Sequence, residues 1–335
     1  MKALFICKAS INTGLGHLVR SKTLAAYIKK ESTQFKQVDF ISIGDTSLEK
    51  LLLSDHFSWK MIEQENDLNI SDNYDVIFFD MMNIQSDIFL KIKQQARLTV
   101  SLSPMFNMLN FTDILFNRTK YLVDSKLPKE IYAGMEYSII QPNCKKINTD
   151  IFQSNLNLPF FPIAISMGGT DAANKTLKCL QALKKCSVPA VFWVALGEGY
   201  SYSYDELINE IKSNTSHEII LVHSNRSMWH ILQNCVFLIL MGGITSYEAA
   251  HAGLPSINFL ETNEHYFLIR EIVENNACFY GDIFSEKNLL QLNEKIEDIF
   301  ANKNELFNMH LQGKSLMDHN ACAIITRIVT KKLRK

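Results

Sequence analysis

The sequence has no Cys-x-x-Cys pair: its seven cysteines stand at 7, 144, 179, 186, 235, 278 and 322. An odd count without zinc-type spacing argues against a disulfide framework or a structural zinc site. With no leader-like start, it points to a reducing cytoplasm. Long hydrophobic runs are also missing. The apolar stretches at the start, through Cys7, and over Val236–Met241 fall far short of the roughly 20 residues a membrane span needs. The expectation is a chain without a transmembrane segment. The basic tail Lys331, Lys332, Arg334 and Lys335 reads first as a solvated terminus and leaves a peripheral membrane contact open. Neither sign of charge dominates: 34 Lys and Arg face 35 Asp and Glu, for a net charge of −1. That balance leaves no field to steer nucleic acid as a partner. There is no Asp-x-Asp triplet of the kind that holds a divalent cation in a transferase, so no metal and no cofactor are expected.

What is present is an ordinary globular composition, 47% hydrophobic and 21% charged over 335 residues, a length that suits two domains. Short apolar runs alternate with longer amphipathic stretches. Ala3–Cys7, Val38–Ile43, Asp75–Asp80, Leu98–Leu102 and Ile114–Phe116 read as strands, and Leu18–Lys29 reads as a helix. The rhythm breaks between about 118 and 158, a stretch rich in Asn and Lys with Pro128 and Pro142. It resumes with strands at Phe161–Met167, Val191–Ala195, Ile219–Val222, Val236–Leu240 and Ser256–Phe259. Helices are expected at Asn174–Lys185, Ser227–Gln233, Thr245–His251 and His265–Asn275, and a last one over Ser315–Leu333. Strand–helix–strand units of this kind build parallel sheets. The expected fold class is α/β, with two Rossmann-like doubly wound domains, 1–155 and 156–335, facing a central cleft. In such sheets ligands bind where loops leave the carboxyl ends of the strands.

Three strand ends carry glycine-rich turns followed by a helix. They are Gly14-Leu15-Gly16-His17, Gly168-Gly169-Thr170-Asp171, and Gly242-Gly243-Ile244-Thr245-Ser246-Tyr247-Glu248. Glycine allows positive φ and close backbone approach to an anion, and the next helix offers unpaired N–H groups with a partial positive charge. Gly14, Gly16, Gly168, Gly169, Thr170, Gly242, Gly243, Ile244, Thr245 and Ser246 are therefore candidate phosphate-binding residues. None of the turns is a Rossmann fingerprint, since Gly14-Leu15-Gly16 lacks the third glycine. Gly313-Lys314-Ser315 is not a P-loop, because Asn308 stands where the leading glycine belongs. Glu248, one turn into its helix, is placed to accept hydrogen bonds from a ribose; complementing the helix dipole is the plain alternative. His17, at a helix start beside a glycine, is a candidate general base, since an imidazole titrates near working pH.

These residues carry a resemblance. Gly14-Leu15-Gly16-His17-Leu18-Val19-Arg20 with Leu24-Ala25 resembles the signature of the pseudaminic-acid-pathway nucleotide-sugar hydrolases and the spore-coat polysaccharide proteins. It is more distantly similar to the lipid II–forming N-acetylglucosaminyltransferases, and all are of the GT-B type. Ser166-Met167-Gly168-Gly169-Thr170-Asp171, with Asn174 and Thr176, resembles the same group's second-domain phosphate loop. Gly242–Glu248, Ala252-Gly253-Leu254-Pro255-Ser256 and Thr262-Asn263-Glu264 resemble a donor-nucleotide site. The resemblance covers roughly residues 1–280.

The resemblance implies a UDP- or CMP-sugar donor. Thr245 and Ser246 would hold its diphosphate, Glu248 its ribose, and Asn263 and Glu264, with Arg20, its sugar. His17, or Asp80 where His17 only orients, would act as base. Two departures stand against the hydrolase pattern. Asp80-Met81-Met82 lacks the hydrolases' tyrosine, and Ser101-Leu102-Ser103-Pro104 lacks their paired aspartates. The leading expectation is a metal-independent, inverting glycosyltransferase acting in surface-glycan or nonulosonic-acid metabolism, with a sugar, glycan or protein acceptor. A nucleotide-sugar hydrolase using water is the alternative, and a non-catalytic nucleotide-sugar-binding protein is the third.

Overall fold

The computed structural model describes residues 1–10, 14–51, 57–122, 127–171, 173–223 and 228–335. Thr13 of the first glycine turn and Ser227, the expected start of a helix, lie outside them. The chain divides into two compact units, residues 1–141 with 319–335, and residues 142–318.

The first unit contains β1 (Lys2–Ala9), α1 (Gly16–Glu31), β2 (Gln37–Gly44), β3 (Ser58–Ile62), β4 (Tyr74–Asp80), α2 (Ser86–Lys93), β5 (Ala96–Ser101), β6 (Ile114–Asn117) and β7 (Glu130–Ala133). The seven strands form one parallel sheet in the order β3-β2-β1-β4-β5-β6-β7. Ala3 through Cys7 on β1 are all fully buried. That is why β1 reads as an unbroken apolar run: a central parallel strand is covered on both faces. Phe5 and Cys7 point into the layer containing Leu24, Ala25 and Ile28 of α1. Leu4 and Ile6 point the other way, onto Phe79, Phe89 and Phe106.

The second unit contains α3 (Thr149–Leu156), β8 (Phe161–Ser166), α4 (Lys175–Leu183), β9 (Ala190–Leu196), α5 (Tyr204–Ser213), β10 (Glu218–His223), α6 (Trp229–Leu232), β11 (Phe237–Met241), α7 (Ile244–Ala252), β12 (Ser256–Leu260), α8 (Arg270–Glu274), β13 (Phe279–Ile283), α9 (Glu286–Ala301) and α10 (Lys303–Leu316). Its sheet is also parallel, in the order β10-β9-β8-β11-β12-β13. In each unit the strand order reverses direction beside the first strand, the doubly wound arrangement that opens a crevice at the strands' carboxyl ends.

Two expectations change. The division falls after Gln141 rather than at 155, because α3 packs with α10 and β8 of the second unit. The single helix expected over 315–333 is two: α10 stops at Leu316, and α11 (Ala321–Leu333) starts after Asn320, whose side chain accepts from the Ala323 N–H at 3.0 Å. α11 belongs to the first unit, where Ile325 and Val329 join the layer of Leu24 and Ile28. Gly313-Lys314-Ser315 lies inside α10, which agrees with its not being a P-loop.

Candidate functional site

In the first unit the site is built on the carboxyl end of β4. Asp80 is its last residue, registered against Cys7 of β1, and it is fully buried. A lone carboxylate there would be costly, and α1 supplies its partners. His17, Arg20 and Ser21 are spaced i, i+3 and i+4, so they share one helix face. His17 Nδ1 lies 2.6 Å from Asp80 Oδ1. Arg20 donates through Nε to Asp80 Oδ2 at 2.9 Å and through its terminal nitrogen to Oδ1. The Ser21 hydroxyl donates to Oδ2 at 3.0 Å.

Burial alone would raise the Asp80 pKa. The Arg20 guanidinium and His17 outweigh it and hold the carboxyl well below the usual carboxylate range. An ionised carboxylate only accepts, so the proton of the short contact sits on His17 Nδ1. The Arg20 nitrogen 3.3 Å from Nδ1 is then a neighbour and not a hydrogen-bond donor to it. In a neutral ring this tautomer places the lone pair on Nε2. His17's side chain is 21% exposed and Asp80's 1%. The geometry thus separates two residues that the sequence left joined: His17 is reachable from solvent, and Asp80 lies buried behind it, fixing the ring through Nδ1. Arg20, expected at the sugar, is instead buried against Asp80. Ser21 was not anticipated; its signal was the i+4 spacing from His17.

Around this dyad, α1 opens after Leu15 with no side chain capping it and no acidic residue in its first turn. Gly14 has a φ of +85°, with its N–H bonded to the Ser10 carbonyl at 3.0 Å. The Gly14 amide is thus taken within the turn, and the uncapped start of α1 at Gly16 is what keeps the character of an anion-facing helix end. The positions that depart from the hydrolase pattern are also clear. Met82 is 43% exposed. Ser101 and Ser103 are buried and satisfy each other, Ser101 Oγ donating to the Ser103 carbonyl at 2.8 Å.

In the second unit the two glycine turns behave differently. After β8, Asp171 accepts from the N–H groups of Lys175 at 2.7 Å and Thr176 at 3.0 Å, so the start of α4 is already capped by a carboxylate. The Gly169 carbonyl accepts from Gly199 N–H at 2.9 Å, and Thr170 is buried. The Lys175 and Thr176 N–H groups at the start of α4 are therefore already taken within the protein. Gly168, with φ +96° and open space where a Cβ would stand, is the approachable part of that turn.

After β11 no carboxylate caps the helix, although the Gly242 N–H donates to the Phe259 carbonyl at 2.6 Å. Gly243 is extended, with nothing near its Cβ direction. Its N–H donates to Ser246 Oγ at 3.0 Å. Ser246 is fully buried, and its hydroxyl oxygen holds the turn through that bond. Ile244 and Thr245 are half-exposed at the start of α7, where the first turn has no acidic residue. Glu248 is 1% exposed, so a ribose reaches its carboxylate only if the turn shifts. Asn263 and Glu264 lie exposed beyond β12, with Asn263 Oδ1 accepting from Tyr280 OH at 3.2 Å.

No protein-family profile matches the chain. It is 21% identical over 339 residues to the spore coat polysaccharide biosynthesis protein SpsG of Bacillus subtilis, covering 94% of both chains. It is 24% identical over 269 residues to an uncharacterised protein of Methanocaldococcus jannaschii, covering 77% of this chain and 55% of that one. The chain thus spans about half of the archaeal relative. Among solved structures it is similar to MurG of Acinetobacter baumannii, with a TM-score of 0.64 at 13% identity over 99% of this chain and 100% of that one. It is also similar to Anabaena HepE in complex with UDP-glucose, with a TM-score of 0.63 at 14% identity over 100% and 99%. The chain has the GT-B fold. The described residues form two parallel sheets, one in each unit, and among them no helix is long and apolar enough to cross a membrane.

Proposed function

We propose that the chain is a metal-independent, inverting glycosyltransferase that uses a nucleotide sugar, with UDP as the favoured nucleotide. The observation that carries this reading is the His17–Asp80 pair, a part-exposed imidazole fixed by a buried carboxylate. The open start of α7 after Gly242-Gly243, the SpsG relative and the UDP-glucose complex of HepE support a nucleotide-sugar donor. In the proposed step an acceptor hydroxyl oxygen attacks the anomeric carbon. Its proton passes to His17 Nε2 while the bond from that carbon to the diphosphate breaks, and the diphosphate leaves with the electron pair. A positioned base supplies about 10²–10⁴-fold. In the second unit, taken by itself, the start of α7, whose first turn has no acidic residue, is the candidate for holding a diphosphate. Gly14, Gly16 and Gly168 are secondary candidates for phosphate contact, and Asn263 and Glu264 for the donor sugar. Surface-glycan or nonulosonic-acid assembly is the proposed setting.

Hydrolysis of the nucleotide sugar is the second reading, favoured by the Gly14–Arg20 turn resembling the pseudaminic-pathway hydrolases. Met82 weighs against it, because an exposed thioether stands where those hydrolases carry a hydroxyl. Incubation with labelled UDP- and CMP-sugars decides. Donor consumed only with an added sugar or glycan supports transfer, and donor consumed alone supports hydrolysis. No consumption under either condition removes both readings and leaves a binding role.

A further inference from the structure

A cavity of about 390 Å³ opens within the first unit at the carboxyl ends of β1, β2 and β4, and His17 is on its wall. Its size is at the small end of ligand sites, roughly 300–1,000 Å³, and suits one sugar ring. The remaining wall comes from Lys8, the segment Glu63–Asn66 after β3, and Met82, Asn83 and Gln85 after β4. Lys8 Nζ is bound on two sides, to Glu65 Oε1 and to Asn83 Oδ1 at 2.7 Å. The other oxygen of Glu65 accepts from the Gln85 N–H at 2.7 Å. The single lysine is thus neutralised by Glu65, and Glu63 adds a second, exposed carboxylate. The wall carries two carboxylates against one ammonium, together with carboxamides from Gln64, Asn66, Asn83 and Gln85 that can both donate and accept.

We infer that this cavity takes an uncharged, hydroxyl-rich sugar ring and rejects rings bearing a carboxylate or phosphate. The inference rests on the proposed function in that the ring's reactive oxygen or carbon must come to His17. Neutral hydroxyls find paired donors and acceptors on the carboxamides, and an anionic substituent meets Glu63 where, among the described lining residues, the one lysine is already held by Glu65. Because Lys8 is held by Glu65 and Asn83, it cannot turn to an incoming anion without giving up its ion pair with Glu65.

The test is a titration of the full chain with methyl glucoside, methyl glucuronide and glucose 6-phosphate at low salt, reading the His17 imidazole by NMR. The neutral glycoside is expected to bind and move the His17 signal, and the two anions to bind about five- to tenfold more weakly. Glu63→Gln, an exposed change that spares the fold, is expected to narrow that gap. Anions binding as tightly as the neutral ring overturn the inference. So does binding that leaves His17 unmoved, or no binding by any of the three. A chain that turns over a nucleotide sugar yet prefers anionic rings keeps the proposed function and loses this inference. One that binds the neutral ring but consumes no nucleotide sugar does the reverse.

Discussion

Replacing Asp80 with asparagine probes the dyad most sharply. The amide keeps the carboxylate's shape and removes its charge. Its NH₂ group can now donate to His17 Nδ1, which moves the imidazole proton to Nε2 and occupies the position that must accept the substrate's proton. Arg20 is left buried beside a neutral amide, having lost the partner it holds through two nitrogens. Breaking a buried ion pair from one side costs about 3–5 kcal/mol, so thermal unfolding should shift down markedly. Turnover should fall by about 10²–10⁴, the contribution of a positioned base. Two assays separate the effects: initial rates on a nucleotide sugar below the unfolding temperature, and ¹⁵N shifts of the His17 ring reporting its tautomer. A variant whose ring keeps the proton on Nδ1 and whose rate stays within about threefold of the parent would refute the reasoning.

Other expected outcomes follow from the same structure. Ser21→Ala removes one hydrogen bond to the Asp80 carboxylate and should cost about 1.5–3 kcal/mol in denaturant melts while leaving some turnover, because Arg20 still holds Asp80. Gly44→Ala should destabilise by at least about 1–3 kcal/mol, since φ is +138° and the new Cβ would stand 2.1 Å from the Ala9 carbonyl oxygen; an unchanged melting curve would contradict the register of β1 and β2. Burial lowers the pKa of both His251 and His310, although each has a hydrogen bond to a carbonyl. Their neutral forms are favoured in the fold, so stability should be full above the ordinary histidine value of about 6.5 and decline as pH falls below it. Stability flat from pH 7 to 5 would count against that. A chelator should leave turnover unchanged, and its loss with EDTA would overturn the metal-independent proposal.

The parts of the fold that could be read from the residues are those buried on both faces. β1, β4, β8 and β11 are central and appear as continuous apolar runs. The strands that escaped notice, β3, β7 and β13, are all at sheet edges. Ser58-Trp59-Lys60-Met61-Ile62 alternates exposed and half-covered positions before its last residue, and Phe279-Tyr280-Gly281-Asp282-Ile283 carries a glycine and an exposed aspartate, so neither stands out from loop. At the site, His17 and Arg20 were legible from a local turn, but Arg20's partner was not, since Asp80 reaches it only through the pairing of β4 with β1. The Lys8–Glu65–Asn83 network was invisible for the same reason: its members are 57 and 75 residues apart from Lys8. The turns at Gly168 and Gly242 look alike in sequence and differ in the fold because Asp171 caps its own helix, a bond that spacing alone does not reveal.

The central claim is that the open turn before α7 grips a nucleotide's diphosphate. It is tested most directly by titrating isotope-labelled protein with UDP and following the backbone amides of Gly243, Ile244 and Thr245. The account predicts saturable shifts led by Ile244 and Thr245, with Gly243 following through its bond to Ser246, at concentrations that leave the Lys175 and Thr176 amides unmoved. Shifts confined to other parts of the chain, or none at all, would contradict it.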